Sequence, residues 1–446
     1  VIKIFRFQLL VAVAFAAGVC ALPTGAGAVP IVDDAFAGGA ITPNLASVRS
    51  GSQLAGQVAI QSDGKIVVPV FAGFASERQV SIARYGLDGK LDPTYGTGGV
   101  VLIRVPGSLA IDGPFVDAQP DDKLLVAGTV RFRSHKRKMF VARITAAGGR
   151  DSTFGQHGIA FISLGTHPSS LAGPASVTTL GDGRVLVSMI DDLKHTSRLT
   201  IVELGPAGRL DRDFGKSGIE RFSFRDAGDE SVLLNVAIDG PRAYALFTYY
   251  DDDDDGVGYG SCLIAAMNLT TGKLDSAFDH DGKKPIDTVG GYDEINCEGM
   301  ALDGHGGIAI VGPVYGEDNE FDPMGDYVMR LSADGALNAA APGGGVFYTK
   351  TANLFSQIAF TADGTAVVAG SRFVSINDPG PRSGLIALIS PIGALSYPIP
   401  AGAVSQSGKS FANQVVIKGD RIVAAYTQSV YARAPHSRIL VMRDAH

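Results

Sequence analysis

The nine residues LDPTYGTGG, Leu91 to Gly99, decide the fold, because they come back along the chain. RDSTFGQHG starts at Arg150 and LDRDFGKSG at Leu210, and looser copies read LDSAFDHDG from Leu274, LNAAAPGGG from Leu337 and VDDAFAGGA from Val32. The second residue of each copy falls at Asp33, Asp92, Asp151, Asp211, Asp275 and Asn338, in steps of 59, 59, 60, 64 and 63 residues. A period of this size is the mark of a repeat architecture, in which each unit buries its apolar face against its neighbours.

Working outward from the motif, every unit has the same grammar. Two apolar runs flank an Asp/Gly turn, as in QVAIQSDGKIVVPV from Gln57, SVTTLGDGRVLVSM from Ser176 and SQIAFTADGTAVVAG from Ser356. That is the signature of a β-hairpin. A variable loop leads to a third run (VSIARY from Val80, MFVARI from Met139, YVMRL from Tyr327), and the motif leads to a fourth (VVLI from Val100, IAFI from Ile159). Four short antiparallel strands repeated radially describe a propeller blade. Hairpins begin near Val58, Val116, Val177, Leu233, Met300, Ile358 and Val415, so the expected fold is an all-β, seven-bladed propeller. The seventh unit reads only as far as its third strand, RILVM from Arg438, while the motif at Val32 has no blade of its own. The segment from Val32 to about Asn44 is therefore expected to complete the last blade and close the ring, which leaves no open sheet edge.

These units resemble the delta-60 repeat, a bacterial repeat family assigned to β-propellers, most clearly from Val32 to Phe224 and from Gly299 to Leu337. The resemblance implies the propeller fold and a surface location, and it implies no activity.

Composition agrees with a repeat array: 446 residues with 57 Gly and 22 Pro to make turns, 46% hydrophobic residues to bury and only 19% charged. Lys3 and Arg6 precede an apolar run from about Leu9 to Val19, and Ala26-Gly27-Ala28 fits the small-x-small cleavage rule. Residues 1–28 thus read as a secretory signal peptide, with 29–446 as a single propeller domain exported to the periplasm or beyond the cell. Without that segment the formal charge is about −9, which makes nucleic acid a poor partner. No other stretch is apolar enough to span a bilayer. Cys262 and Cys297 are left as an even pair, expected to form a disulfide in an oxidising compartment.

The candidate site residues carry both bland and sharp readings. Asp251, Asp253 and Asp255 followed by Gly256 reproduce the opening of a calcium loop. Cys262 stands where an EF-hand needs its bidentate Glu, so the alternatives are a simpler Asp-rich calcium site and a solvated acidic loop. Arg84 and Arg143 each precede a motif aspartate by eight residues, Asp92 and Asp151, and Arg330 stands likewise before Asn338. Arg443 is assigned the same place before Asp33 across the ring closure, as an exposed pair. Because Asp33, Asp92, Asp151, Asp211 and Asp275 recur unit after unit, they read as scaffold groups rather than as catalytic ones. The basic loop from Arg131 and the acidic loop from Gly316 lie on the variable face. No His-x-His or His-Glu-x-x-His spacing and no Gly-x-Ser-x-Gly elbow occurs.

Two functions follow. The first is a secreted noncatalytic binding or scaffold propeller, monomeric by default, that presents its loop-rich face to an extracellular protein or glycan. The second is an extracellular propeller enzyme, a hydrolase or lyase acting on a sugar or lactone, with calcium in or near the channel.

Overall fold

The Asp/Gly turns reverse the chain where glycine alone is comfortable: Gly64 and Gly183 have φ of 80° and 84°. Each turn pairs a first strand with a second, as Val116↔Val126 in one unit and Val177↔Val187 in the next. In the computed structural model these hairpins extend into seven antiparallel blades, and the chain holds no α-helix among the described residues. Those residues are 31–43, 53–55, 57–72, 79–132, 137–163, 171–193, 196–223, 230–250, 260–292, 295–315, 324–350, 353–372, 383–398, 409–429 and 436–443.

Blade 2 shows the pattern with strands Ser108–Ala118, Leu124–Phe132, Arg137–Ile144 and Ile159–Ile162, paired in that order. Blade 1 follows it from Ala59–Ile60 to Val100–Ile103, blade 3 from Leu171–Thr179 to Ile219–Ser223 and blade 4 from Glu230–Asp239 to Lys283–Ile286. Blade 5 runs from Gly299–Leu302 to Val346–Thr349 and blade 6 from Asn353–Phe360 to a two-residue fourth strand, Leu395–Ser396. First strands touch first strands all the way round, so they form the hub. Second and third strands are covered by a neighbouring blade on each face. This is why Leu124 to Val130 is buried without alternation, as in sheets covered on both sides. The core is accordingly seven clusters, one in each joint between adjacent blades.

Blade 7 takes Lys409–Lys418, Arg421–Ser429 and His436–Arg443 from the C-terminal part of the chain and its outermost strand from the N-terminal part. Ile31 and Val32 pair with Arg443 and Met442, and Ala40 and Ile41 with Leu440 and Ile439. Between them Phe36 is fully buried, packed with Val58, Ile66 and Tyr85 of blade 1. The segment 53–55 adds a second tie, because Gln53–Ala55 pairs with both His436 and the second strand of blade 1. Among the described residues no helix is long and apolar enough to cross a membrane.

The motif works as a turn whose positive-φ positions are held by glycine in blade 1. The amide of Gly99 donates to Tyr95 O at 2.9 Å with φ of 90°, and a Cβ there would lie 2.8 Å from Leu91 Cβ. Gly96 (φ 57°) approaches Val100 O so closely that a Cβ would stand 2.4 Å away. Its amide donates across the joint to Ala147 O of blade 2 at 2.9 Å, and Gly155 repeats the bond to Ala207 O of blade 3 at 2.8 Å. At the closure Ala37 occupies this place and donates to Asp88 O at 3.2 Å, which ties the N-terminal motif to blade 1.

Two consequences are measurable. A chain beginning after residue 47 should melt lower and be cleaved sooner in blade 7 than one beginning at Val29, and equal stability would contradict the closure. Phe36→Ala alone should cost about 3–5 kcal/mol, the usual penalty for emptying a buried aromatic site.

Candidate functional site

The ends of the blades differ. One face of the ring carries the hairpin turns and the aspartate motifs, and the other carries the variable loops between second and third strands. On the motif face Asp92 and Asp151 divide their two oxygens. Asp92 Oδ1 accepts from the amide and hydroxyl of Thr94 at 2.9 and 2.6 Å, and Asp151 Oδ1 does the same with Thr153 at 3.0 and 2.6 Å. Asp211, Asp275 and Asn338 keep the amide half of this turn, at 3.1, 3.1 and 3.2 Å. Oδ2 faces a cation. Arg84 lies 3.1 Å from Asp92 and Arg143 lies 2.8 Å from Asp151. The Thr94 hydroxyl, followed by the Lys65 ammonium and the Arg84 charge, brings the Asp92 carboxyl down to about 2 against the cost of its burial.

The arginines also cross the joint. Arg84 donates to Ala146 O of blade 2 at 2.6 Å and stacks 4.4 Å over Tyr95, while Arg143 donates to Pro206 O of blade 3 at 2.7 Å and stacks 4.6 Å over Phe154. A planar cation with several fixed donors suits this task, because carboxylate, carbonyl and ring are met at once. Arg330 stacks 4.8 Å over Phe360 of blade 6 and has no motif carboxylate beside it, since Asn338 stands there; burial pulls its guanidinium down.

A second set of cations was missed from the sequence. Lys65 and Lys123 lie 3.3 and 3.6 Å from Asp92 and Asp151, and Arg242 lies 2.5 Å from Asp275 and donates to Ala333 O of blade 5 at 2.9 Å. All of them follow the hairpin turn directly, in SDGK, PDDK, GDGR, DGPR and KGDR, so a basic residue after the turn is the signal. Arg421, the last of this set, adds a cation to the expected ring closure, in which Asp33 does meet Arg443. Asp33 N donates to Val441 O at 3.0 Å, the bond that Asp92 N makes to Arg84 O, so Val441 and not Arg443 stands in the place of Arg84. Arg443 reaches Asp33 Oδ2 at 2.8 Å from two residues further on, and Arg421 approaches it at 3.4 Å and bonds Gly64 O of blade 1 at 3.2 Å. Covered by both, the Asp33 side chain is 4% exposed while that of Arg443 is 41% exposed, so the pair expected to be exposed is half-buried.

Cys262 and Cys297 are joined, with Cα atoms 6.0 Å apart, and link the third strand of blade 4 to the entrance of blade 5. Asp251, Asp253 and Asp255 lie outside the described residues, as does the acidic loop from Gly316. Among the described residues no three His, Cys, Asp or Glu side chains gather as a metal centre.

Near the loop-bearing end of blade 5 two carboxyls stand out that sequence reasoning did not single out. Asp326 is fully buried, its Oδ1 accepts from Phe355 N at 2.9 Å, and its Oδ2 has no hydrogen-bond partner. Burial pushes its carboxyl up to about 7, against the backbone amides of Phe355 and Asn353. Burial alone raises Glu298 to about 7 as well. No motif marks either residue, because each depends on which chain covers it. On the motif face, blades 3 and 4 line an open pocket of about 390 Å³ that includes Arg184, Glu203, Asp211 and Phe214 in its lining.

Comparison with known proteins follows this geometry. A family model described as "Domain of unknown function (DUF5122) beta-propeller" matches residues 61–95 and 119–154, each stretch running from the hairpin turn to the motif aromatic, Tyr95 or Phe154. No curated protein matches the chain. The polysaccharide lyase Uly1 is similar in structure at 10% identity and a TM-score of 0.51, over 94% of this chain and 98% of the lyase. A PL25 ulvan lyase bound to -[GlcA(1-4)Rha3S]- is similar at 11% identity and a TM-score of 0.52, over 87% and 94% of the two chains. At such identities the likeness is one of fold, and the chain carries two matches to a propeller-repeat family within a seven-bladed ring.

The raised carboxyl of Asp326 makes a pH prediction. A group whose pKa is higher folded than unfolded stabilises the fold fully below its unfolded value, near 4, and loses that contribution as pH rises through about 7. Asp326→Asn keeps the Oδ1 acceptor and cannot ionise. Its melting temperature should therefore fall less than that of the unaltered protein between pH 4 and pH 8, and parallel curves would show that Asp326 does not titrate there.

Proposed function

We propose that this chain is a secreted noncatalytic binding or scaffold propeller that offers its loop-bearing face to an extracellular protein or glycan. One observation carries the reading: the repeated acids and bases of the motif face are engaged in the joints between blades. Asp92, Asp151, Asp275 and Asp33 each face a cation, and Arg84, Arg143, Arg242 and Arg421 each bond a carbonyl of the next blade. Sequence variety is concentrated on the other face, where loops on a rigid frame are free to differ. Arg131, Arg137 and Lys138 flank one such loop and suit an acidic glycan. The acidic run from Asp251 to Asp255 falls in the sequence between the second and third strands of blade 4 and is carried in this reading as a calcium-responsive element.

A second reading, a lyase or hydrolase of an acidic polysaccharide, is favoured by Asp326 and Glu298. Carboxyls held near neutrality are suited to general acid–base work, and both named lyases share the fold.

The two readings separate in one experiment. Acidic polysaccharides, including a sulfated one and a uronic-acid one, are incubated with the protein, with and without calcium; binding is read by calorimetry and chain cleavage by ultraviolet absorbance of unsaturated ends and by reducing ends. The binding reading expects saturable binding without cleavage, weakened about tenfold when Arg131, Arg137 and Lys138 are all replaced by Ala, at unchanged melting temperature. Cleavage that is lost in Asp326→Asn or Glu298→Gln supports the enzyme. Arg143→Met is the control for the scaffold face: leaving Asp151 buried beside Lys123 alone should cost about 3 kcal/mol of stability and leave binding untouched.

A further inference from the structure

In blade 3 the place of Arg84 and Arg143 is taken by Glu203, whose carbonyl has the same role in the turn: Asp211 N donates to Glu203 O at 3.0 Å, as Asp92 N does to Arg84 O at 2.8 Å. The reversal of charge removes the guanidinium that blades 1 and 2 place between a motif carboxylate, an aromatic face and the next blade. The other walls of that seat remain. Asp211 supplies the carboxylate, Phe214 the ring, and Leu269 and Thr270 the turn of blade 4, and these line the open pocket of about 390 Å³ between the two blades. The missing guanidinium has left a space of its own kind.

Arg184, which follows the hairpin turn as Arg242 does in blade 4, does not occupy it. Where blade 4 has Ala266, Arg242 reaches its motif carboxylate Asp275 at 2.5 Å and the next blade at Ala333 O, 2.9 Å. Arg184 is instead held within its own blade, by Glu203 Oε1 at 2.6 Å and by Asp182 Oδ2 at 2.7 Å. The Glu203 side chain is 2% exposed, and burial and then the neighbouring Asp211 push its carboxyl up while the Arg184 guanidinium pulls it down. Asp213 adds a further carboxylate to the lining, so the acids outnumber the one arginine.

We infer that this joint is a binding site for a guanidinium group supplied from outside the fold, seated on Phe214 between Glu203, Asp211 and the blade 4 turn. The chemistry selects a planar cation over a compact one, because a guanidinium can stack on the ring while its N–H groups meet carboxylate and carbonyl together. It lies on the motif face and is independent of the loop-face reading above.

The test is calorimetric titration of the full chain at constant ionic strength with methylguanidinium, methylammonium, and a blocked Gly-Arg-Gly peptide beside its Gly-Lys-Gly counterpart. Methylguanidinium should bind on the order of tenfold more tightly than methylammonium. Binding of the arginine peptide as well would identify a side chain of a partner as the source, and binding of methylguanidinium alone a free small ligand. Glu203→Arg should fill the seat, abolish binding and raise the melting temperature. Should that variant fail to fold, Glu203→Ala frees Arg184 to reach Asp211 as Arg242 reaches Asp275, and it too should lose binding. Equal affinity for both small cations, or affinity undiminished in the variant that folds, would overturn the assignment.

Discussion

A ring of seven sheets depends on the joint where its ends meet, and here that joint is a strand lent by the N-terminal segment to the C-terminal blade. Ile31 and Val32 pair with Arg443 and Met442, and the loop beyond them places Phe36 in the core between blades 7 and 1. Without this segment the third strand of blade 7 would expose a row of backbone donors and acceptors, an open edge of the kind propellers avoid. The Asp33 carboxylate sits under Arg421 and Arg443 in the same joint, and Arg421 continues to Gly64 O of blade 1. Buried ion pairs return little net stability against an apolar alternative. The energetic weight of the closure therefore rests on the strand and on Phe36, and the charges fix its register.

The other joints use the same parts in different proportions. Blades 1 and 2 carry both cations, one from the third strand and one from the hairpin turn; blade 4 has only Arg242 beside its motif aspartate, and blade 5 keeps Arg330 opposite Asn338. In blades 1, 2, 4 and 7 the triangle of motif turn, cation and next-blade carbonyl is kept, so the geometry tolerates exchange of the strand that supplies the arginine. Blade 3 is the departure, because Glu203 reverses the charge and Arg184 stays at home. A site that breaks the local rule of its own fold is a place to look for function.

Much of this was legible in the sequence because the repeat multiplies each signal. The period of the motif, the two glycines that Gly96 and Gly99 typify, and the unattached copy at Val32 together define seven blades and their closure. The sequence was less informative about partners across a joint. Arg443 reads as the partner of Asp33 by counting eight residues, yet Val441 holds that position, since the closing segment joins the blade from the other end of the chain and its register is set by pairing rather than by loop length. Arg242 and Arg421 follow a turn and look like ordinary solvated residues until a neighbouring blade covers them. Asp326 and Glu298 are invisible for the same reason, because their raised carboxyls come from burial by chain far away in sequence.

The closure itself is tested most directly by hydrogen exchange of the native protein read by mass spectrometry. If the N-terminal segment is the outer strand of blade 7, peptides covering 31–41 should exchange as slowly as the fourth strands of blades 1 and 2, Val100–Ile103 and Ile159–Ile162, and those covering 436–443 more slowly still, as strands paired on both sides. Exchange of 31–41 at the rate of an unstructured chain, with 436–443 behaving as an open edge, would contradict it.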